Sequence, residues 1–199
     1  MPYQFRYFIR HHLIFQSNLI CEQCNALTKT GARCKRMVCF GLPYCFSHLY
    51  SLKHLKIQQS TIANAGKGLF AIDKSKRPNA VIFHQNAVIC EYNGEIIDKN
   101  ELIHHYNYHT APYAIRINRN RFEDGALMRG VAGLANHKSF ENCNAVFRPF
   151  KNNGKFYLRL VAIKPIRNGD EIFADYGDVY IFDDGRKLHK TTYISDYGK

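Results

Sequence analysis

Apolar and polar positions along this chain alternate at short range, and from residue 56 onward they predict many short strands and little regular helix. Lys56-Ile57-Gln58-Gln59 and Gly68-Leu69-Phe70-Ala71-Ile72 read as the first two strands. Val88–Tyr92, an Asn93-Gly94 turn and Glu95-Ile96-Ile97 predict a hairpin. Asp98 to Tyr108 reads as a helix with Asp98 as N-cap, ended by Pro112. Tyr113–Ile117, Phe156–Ala162 and Glu171–Ala174 read as strands, with a turn from Pro165 to Asp170. Ahead of them, Leu49, Leu52 and Leu55 with Lys53 and Lys56 predict a short amphipathic helix between Tyr44 and Gln59. Strands this short do not suit a doubly wound sheet, so the expectation is a mainly β domain.

With 199 residues, 46% hydrophobic, 14% aromatic and 22% charged, the chain suits one ordinary domain plus a small appendage. No apolar run approaches a membrane span. The N-terminus, Tyr3 to His12, mixes basic and aromatic residues and lacks the uninterrupted apolar stretch of a signal peptide, which predicts an intracellular protein. The net charge of +12 is unevenly placed: residues 1–56 hold 8 Lys/Arg against the one acid Glu22, and residues 57–199 hold 20 against 15. That front-loaded excess suits anionic partners, nucleic acid or chromatin foremost, although solubility alone accounts for it equally well.

Five of the seven cysteines, Cys21, Cys24, Cys34, Cys39 and Cys45, fall in one short stretch, and His48 follows. In an intracellular protein such clustering points to zinc rather than disulfides. Zinc takes four tetrahedral ligands, and a short spacing such as Cys45-x2-His48 lets one turn supply two. A segment this small cannot bury a core of its own, so a structural metal would supply its stability. The six candidates leave the set of four open, and one choice starts from the Cys21-x2-Cys24 pair. The stretch also resembles a compact C-x9-C…C-x2-H module seen in some proteins of large DNA viruses. That resemblance implies Cys24, Cys34, Cys45 and His48 as ligands, with Cys21 and Cys39 as alternates, and a viral setting.

Three further segments carry chemistry by their order and spacing: Ala65-Gly66-Lys67-Gly68-Leu69-Phe70-Ala71, Asn136-His137 followed by Asn142-Cys143, and Asp170-Glu171-Ile172-Phe173-Ala174-Asp175-Tyr176. Together with Glu91-Tyr92-Asn93-Gly94-Glu95 they resemble the SET domain, the fold of most protein lysine methyltransferases. The resemblance spans roughly residues 56–183. It implies a β-clip-like fold of several short sheets with a pseudoknot and few helices. It also implies S-adenosyl-L-methionine as cofactor, a histone tail or other basic protein as substrate, and a nuclear or virion-associated location. The basic N-terminal region would then offer a surface to DNA or nucleosomes.

Carried over residue by residue, Gly66, Lys67, Gly68 and Leu69 would lie along the cofactor, with Asn136 and His137 holding it. Asn142 would steady the knotted segment. Tyr176 aligns with the catalytic tyrosine and Tyr113 with a second tyrosine of the cofactor or lysine pocket. Tyr180 and Phe182 would stack on the adenine, and Tyr193 and Tyr197 would belong to a flap. The expected organisation is an extension (1–20), the Cys/His module (21–48), a connecting helix (49–55), the SET domain (56–183, with an insert at 98–112) and a C-terminal flap (184–199). His104, His105 and His109 fall on the insert helix, which would shape the peptide groove. Departures from the family pattern are Gly133, Lys138, Glu141 and Ala174. They keep a rival reading in play, a catalytically silent SET-like domain that binds chromatin or nucleic acid. No dehydrogenase, hydrolase or kinase motif competes, and methyl transfer needs no metal.

Overall fold

The computed structural model describes residues 3–9, 13–19, 22–38, 43–106, 111, 113–126 and 130–177, with the backbone alone for the first two stretches. Tyr180, Phe182, Tyr193, Tyr197, Cys21, Cys39 and His109, all named above, lie outside the described residues, as does the flap.

Strands β1 (Tyr3–Ile9) and β2 (Leu13–Leu19) pair antiparallel, where the sequence predicted only an extension. The Cys/His module follows, with β3 (Glu22–Gln23) paired to β4 (Met37–Val38). Helix α1 (Phe46–Lys53) comes next. It ends earlier than the leucine spacing predicted, because His54 takes a left-handed φ of 56° and its N–H bonds back to the Tyr50 carbonyl at 3.1 Å. Leu55 is thereby released into a strand, where it is fully buried opposite Ala71.

The strands then run β5 (Leu55–Gln59), β6 (Lys67–Ala71), β7 (Val81–Phe83), β8 (Val88–Glu91) and β9 (Glu95–Asp98). Helix α2 (Lys99–Tyr106) starts as predicted: the Asp98 carboxylate accepts the Asn100 and Glu101 amides at 2.7 and 2.9 Å, and Glu101 reaches back to the Asp98 amide at 2.7 Å. After it come β10 (Ala114–Arg116), β11 (Arg121–Asp124), a 3-10 turn (Val131–Leu134), β12 (Asn136–His137), β13 (Ala145–Asn152), β14 (Lys155–Ala162), β15 (Ile166–Arg167) and β16 (Glu171–Ala174). The predicted turn from Pro165 to Asp170 thus holds a two-residue strand that pairs with β7.

The largest sheet has the order β5-β6-β16-β13-β14-β8, with β12 beside β16. A second runs β10-β11-β9. The predicted β8–β9 hairpin does not form: β8 pairs with β14, and β9 pairs with β11. Asn93 still turns the chain, at φ 56°, but the turn passes it from one sheet to the other. The buried Glu123 carboxylate holds that passage, accepting the Gly94 amide at 2.9 Å and the Leu158 amide at 2.5 Å. A tight-turn dipeptide fixes a reversal of the chain, and the pairing partners are chosen by burial on the larger sheets. The architecture is mainly β, with several small sheets. Its core joins Leu49, Leu69, Ile89, Leu158, Leu160 and Ile172. Among the described residues no helix is long and apolar enough to cross a membrane.

Candidate functional site

Strand β16 brings the three motif segments together. It runs antiparallel to β6, with Glu171 opposite Phe70 and Ile172 opposite Leu69. It runs parallel to β12, with Asn136 opposite Phe173 and His137 opposite Ala174. Asn144 fastens the arrangement. Its side chain accepts the Phe173 amide and donates to the Glu171 carbonyl, both at 2.8 Å, and its own amide bonds to the Phe173 carbonyl at 3.2 Å. The stitching expected of Asn142 therefore falls to Asn144: the Asn142 side chain donates only to the nearby Ser139 hydroxyl, at 2.8 Å.

On the β6 side, Glu171 is the node. Its carboxylate accepts the Ser60 hydroxyl at 2.7 Å, the Thr61 amide at 2.7 Å, the Thr61 hydroxyl at 2.5 Å and the Asn136 amide group at 3.1 Å. Burial would raise its pKa, but the Thr61, Ser60 and Asn136 hydrogen bonds outweigh that and hold it below the ordinary glutamate value. The node explains Gly68: a Cβ there would overlap the Glu171 carboxylate. Asn136 also donates to the Lys67 carbonyl at 3.1 Å, so both hydrogens of its amide are committed to holding β6 and β16. Gly66, at φ 71°, adopts a left-handed turn that favours glycine. Among the described residues no atom lies within 4 Å of where its Cβ would be, so they leave the surface over this turn open.

His137 and Tyr176 are joined at the far end of β16. The Tyr176 amide donates to His137 Nδ1 at 3.1 Å, so the imidazole is neutral with its proton on Nε2. Burial lowers the His137 pKa, against the opposing charge of Asp175 at 3.8 Å. The Tyr176 hydroxyl donates to the Ala135 carbonyl at 2.8 Å, and its ring packs 5.3 Å from the imidazole. Lys138, one of the departures, follows β12 directly and rests its ammonium 3.8 Å from the centre of the Phe173 ring, a cation–π contact back onto β16. Ala174 and Ala145 are fully buried opposite one another. Tyr113, predicted to open a strand through Ile117, lies in the turn just before β10, where its carbonyl accepts the Tyr92 hydroxyl at 2.7 Å and the Gly125 amide at 2.9 Å.

Gly66, Lys67, Gly68, Asn136, His137 and Tyr176 thus converge. The residues that sequence reasoning missed are Ser60, Thr61, Asn144 and Glu171, together with the buried acids Glu123 and Asp124. Asp124 accepts the Tyr106 hydroxyl at 2.9 and 2.8 Å. The available signal was the Asp170-Glu171 pair that opens an otherwise apolar strand.

Comparison with known proteins agrees with this geometry. A model of the SET domain matches residues 66–177. The chain belongs to the SET domain family. A variant-silencing SET domain-containing protein of Plasmodium falciparum (isolate 3D7) is 24% identical over an alignment of 196 residues that covers 91% of this chain and 7% of that protein. Among solved structures, the polycomb repressive complex 2 of Chaetomium thermophilum matches with a TM-score of 0.54 at 23% identity, over 70% of this chain and 18% of the other. An autoinhibited form of the same complex, bound to S-adenosylmethionine, matches with a TM-score of 0.52 at 23% identity, over 63% and 15%. These likenesses establish the fold. The chain spans a small part of each relative's length.

A second cluster lies ahead of the SET domain. Cys24, Cys34 and Cys45 Sγ and His48 Nδ1 all lie within 4.8 Å of one another. His48 Nδ1 is 3.5 Å from the Cys24 sulfur and 3.4 Å from the Cys45 sulfur. Tetrahedral zinc, with Zn–S of about 2.3 Å and Zn–N of about 2.0 Å, requires an S···N edge of about 3.5 Å, so the donor set fits the metal. Burial alone would raise the Cys45 thiol, but the His48 amide, Arg36, Cys24 and the His48 ring outweigh it and bring it down to about 6. His48 sits in the first turn of α1, so the module and the connecting helix overlap rather than meet end to end.

Proposed function

We propose that this chain is an S-adenosyl-L-methionine-dependent protein-lysine methyltransferase acting on a histone tail or another basic protein. The observation that carries the reading is the anchored phenol of Tyr176, at the end of the strand that also gathers Gly66–Gly68, Asn136 and His137. Gly66, Lys67, Gly68 and Leu69 would lie along the cofactor, with the open turn at Gly66 giving it room. Asn136 and His137 would hold it from the β12 side. When bound, the cofactor supplies an electrophilic methyl group on a sulfonium.

The side chains of this protein have the remaining tasks. A lysine amine has an ordinary pKa of about 10.4 and attacks only when neutral, so the channel must disfavour its charge by excluding water. Tyr176 gives its hydroxyl hydrogen to the Ala135 carbonyl, which leaves the phenol oxygen as an acceptor that orients the amine. The neutral His137 ring fixes the Tyr176 main chain and adds no positive charge beside the incoming lysine. Tyr113 would form the second aromatic wall, where its ring face would favour a partly methylated ammonium. Cys24, Cys34, Cys45 and His48 would hold a structural zinc remote from this chemistry.

The test is transfer of a labelled methyl group to core histones, with Tyr176→Phe as comparison. The wild-type chain should label a lysine, and the variant should lose on the order of 10²–10³-fold in rate, the scale for removing one positioned hydroxyl. Tight cofactor binding with no transfer to histones or other basic proteins would overturn the catalytic reading in favour of a silent domain.

A further inference from the structure

The Cys/His module carries an open cleft of about 760 Å³, lined among others by Thr28, Thr30, Arg33, Lys35, Arg36 and Ser47. Among the described residues no acid lines it, and Glu22 is the one acid in residues 22–53 against five Lys/Arg. The basic side chains are held rather than splayed. The Arg33 guanidinium donates to the Cys24 carbonyl at 3.2 Å, and to the Gln23 carbonyl and the Asn25 side chain at 2.7 Å each. Arg36 bridges the cleft to the Ser47 hydroxyl on α1 and lies 3.9 Å from the Cys45 sulfur. The first turn of α1 contains no acid, and its N-cap, Cys45, belongs to the Cys/His cluster. Beside it Phe46 is 69% exposed.

Neutralising the metal cluster does not account for this charge. Three thiolates and a neutral imidazole around Zn²⁺ leave a net charge of −1, which Arg36 alone balances. Arg33, Lys35 and the adjoining Lys29 remain in excess. We propose that this cleft is a docking site for the phosphodiester backbone of a nucleic acid. Guanidinium groups, ammonium groups and hydroxyls are donors that phosphate oxygens take. Phe46, the neighbour in sequence of the lining residue Ser47, is exposed and offers a face on which a base can stack. This proposal does not rest on the methyltransferase reading.

The experiment measures binding of the zinc-loaded full chain to short fluorescent DNA, single-stranded and duplex, across a salt series. Lys29→Glu/Lys35→Glu reverses two exposed charges for which the structure gives no hydrogen bond. It should weaken binding on the order of tenfold or more, and on duplex lower the slope of log K against log salt by about two, near 0.9 per lost phosphate contact. Lys155→Glu, on the β13–β14 turn, should change affinity less than about twofold. Metal content and circular dichroism establish that the variants are folded. Unchanged binding by the double variant, no binding of the wild type, or equal affinity for a labelled polyglutamate peptide would each overturn the proposal. None of these readouts depends on methyl transfer.

Discussion

The Cys/His module and the SET domain of this chain are stabilised in opposite ways. In the module four donor atoms from residues 24 to 48 meet at one point, over a small apolar cluster of Cys24, Ala26, Cys34, Val38 and Cys45. In the SET domain the equivalent of that point is a carboxylate: Glu171 is bonded to Ser60 and Thr61, 111 and 110 positions earlier in the chain. The first arrangement is local, and its donor set fits a metal ion. The second is built of the protein's own hydrogen bonds, set by sheet pairing. Local closure costs little chain entropy but leaves little core, whereas the long closure is repaid only when the whole sheet forms.

Metal removal should separate the two regions most sharply. Structural zinc contributes an apparent ~10–16 kcal/mol in small zinc modules, so a strong chelator, or Cys34→Ser, should unfold the module. Limited proteolysis should then cut between residues 24 and 45 and leave residues 67–174 protected; parallel loss of both regions would join them into one cooperative unit. Next in size is Asn144→Ala, which removes two buried bonds to the backbone of β16. Chemical denaturation should show a loss of about 1–3 kcal/mol with module metal content unchanged.

Acid titration sharpens the comparison inside the SET domain, because its two buried glutamates have opposite signs. Glu171 has a folded pKa below 4.5, so its contribution is present above pH 4.5 and is lost as pH falls through the folded value. Burial raises the Glu123 pKa above 4.5, so its contribution is full below pH 4.5 and is lost as pH rises through the folded value. His137, depressed below 6.5, contributes fully above that pH and loses its share as pH falls through its folded value. Denaturation midpoints against pH should steepen on the acid side for Glu123→Gln and flatten for Glu171→Gln; the reverse pattern would refute both assignments. The smallest effect belongs to Asp98→Ala. It removes the α2 cap at a cost of about 1 kcal/mol and should raise amide exchange in α2 alone.

How much of this was legible in the sequence follows the same division. In the module, spacing alone left six candidates open; the four that the resemblance implied, Cys24, Cys34, Cys45 and His48, are the ones the structure gathers within 4.8 Å, with Cys45 as the N-cap of α1 and His48 in its first turn. Gly66, Gly68, Asn136, His137 and Tyr176 could be read because each sits in a recognisable short motif. Glu171 lay in a quoted motif without a role, since its partners Ser60 and Thr61 are distant and unremarkable in sequence. Asn93-Gly94 predicted a hairpin that the structure replaces by a passage between sheets; the signal was local and the pairing was not. The stitching residue shifted from Asn142 to Asn144 for a related reason: Asn142 sits in a turn, bonded to Ser139, whereas Asn144 immediately precedes β13 and reaches the backbone of β16. The β1–β2 pair went unforeseen because its residues lack the strict alternation of a half-buried strand.

The short α1 helix has one more consequence. His48 belongs to the cysteine cluster while Leu49, the next residue, is buried in the SET core, and Tyr44 packs against both apolar clusters. The module is therefore riveted to its neighbour rather than tethered like a bead on a string. If the proposed docking and methyl transfer both hold, a target gripped by the module would be presented to Tyr176 by a stiff connection, as by the arm of a caliper. Reach along a large target would then be decided by that fixed arm as well as by the residues flanking the reacting side chain.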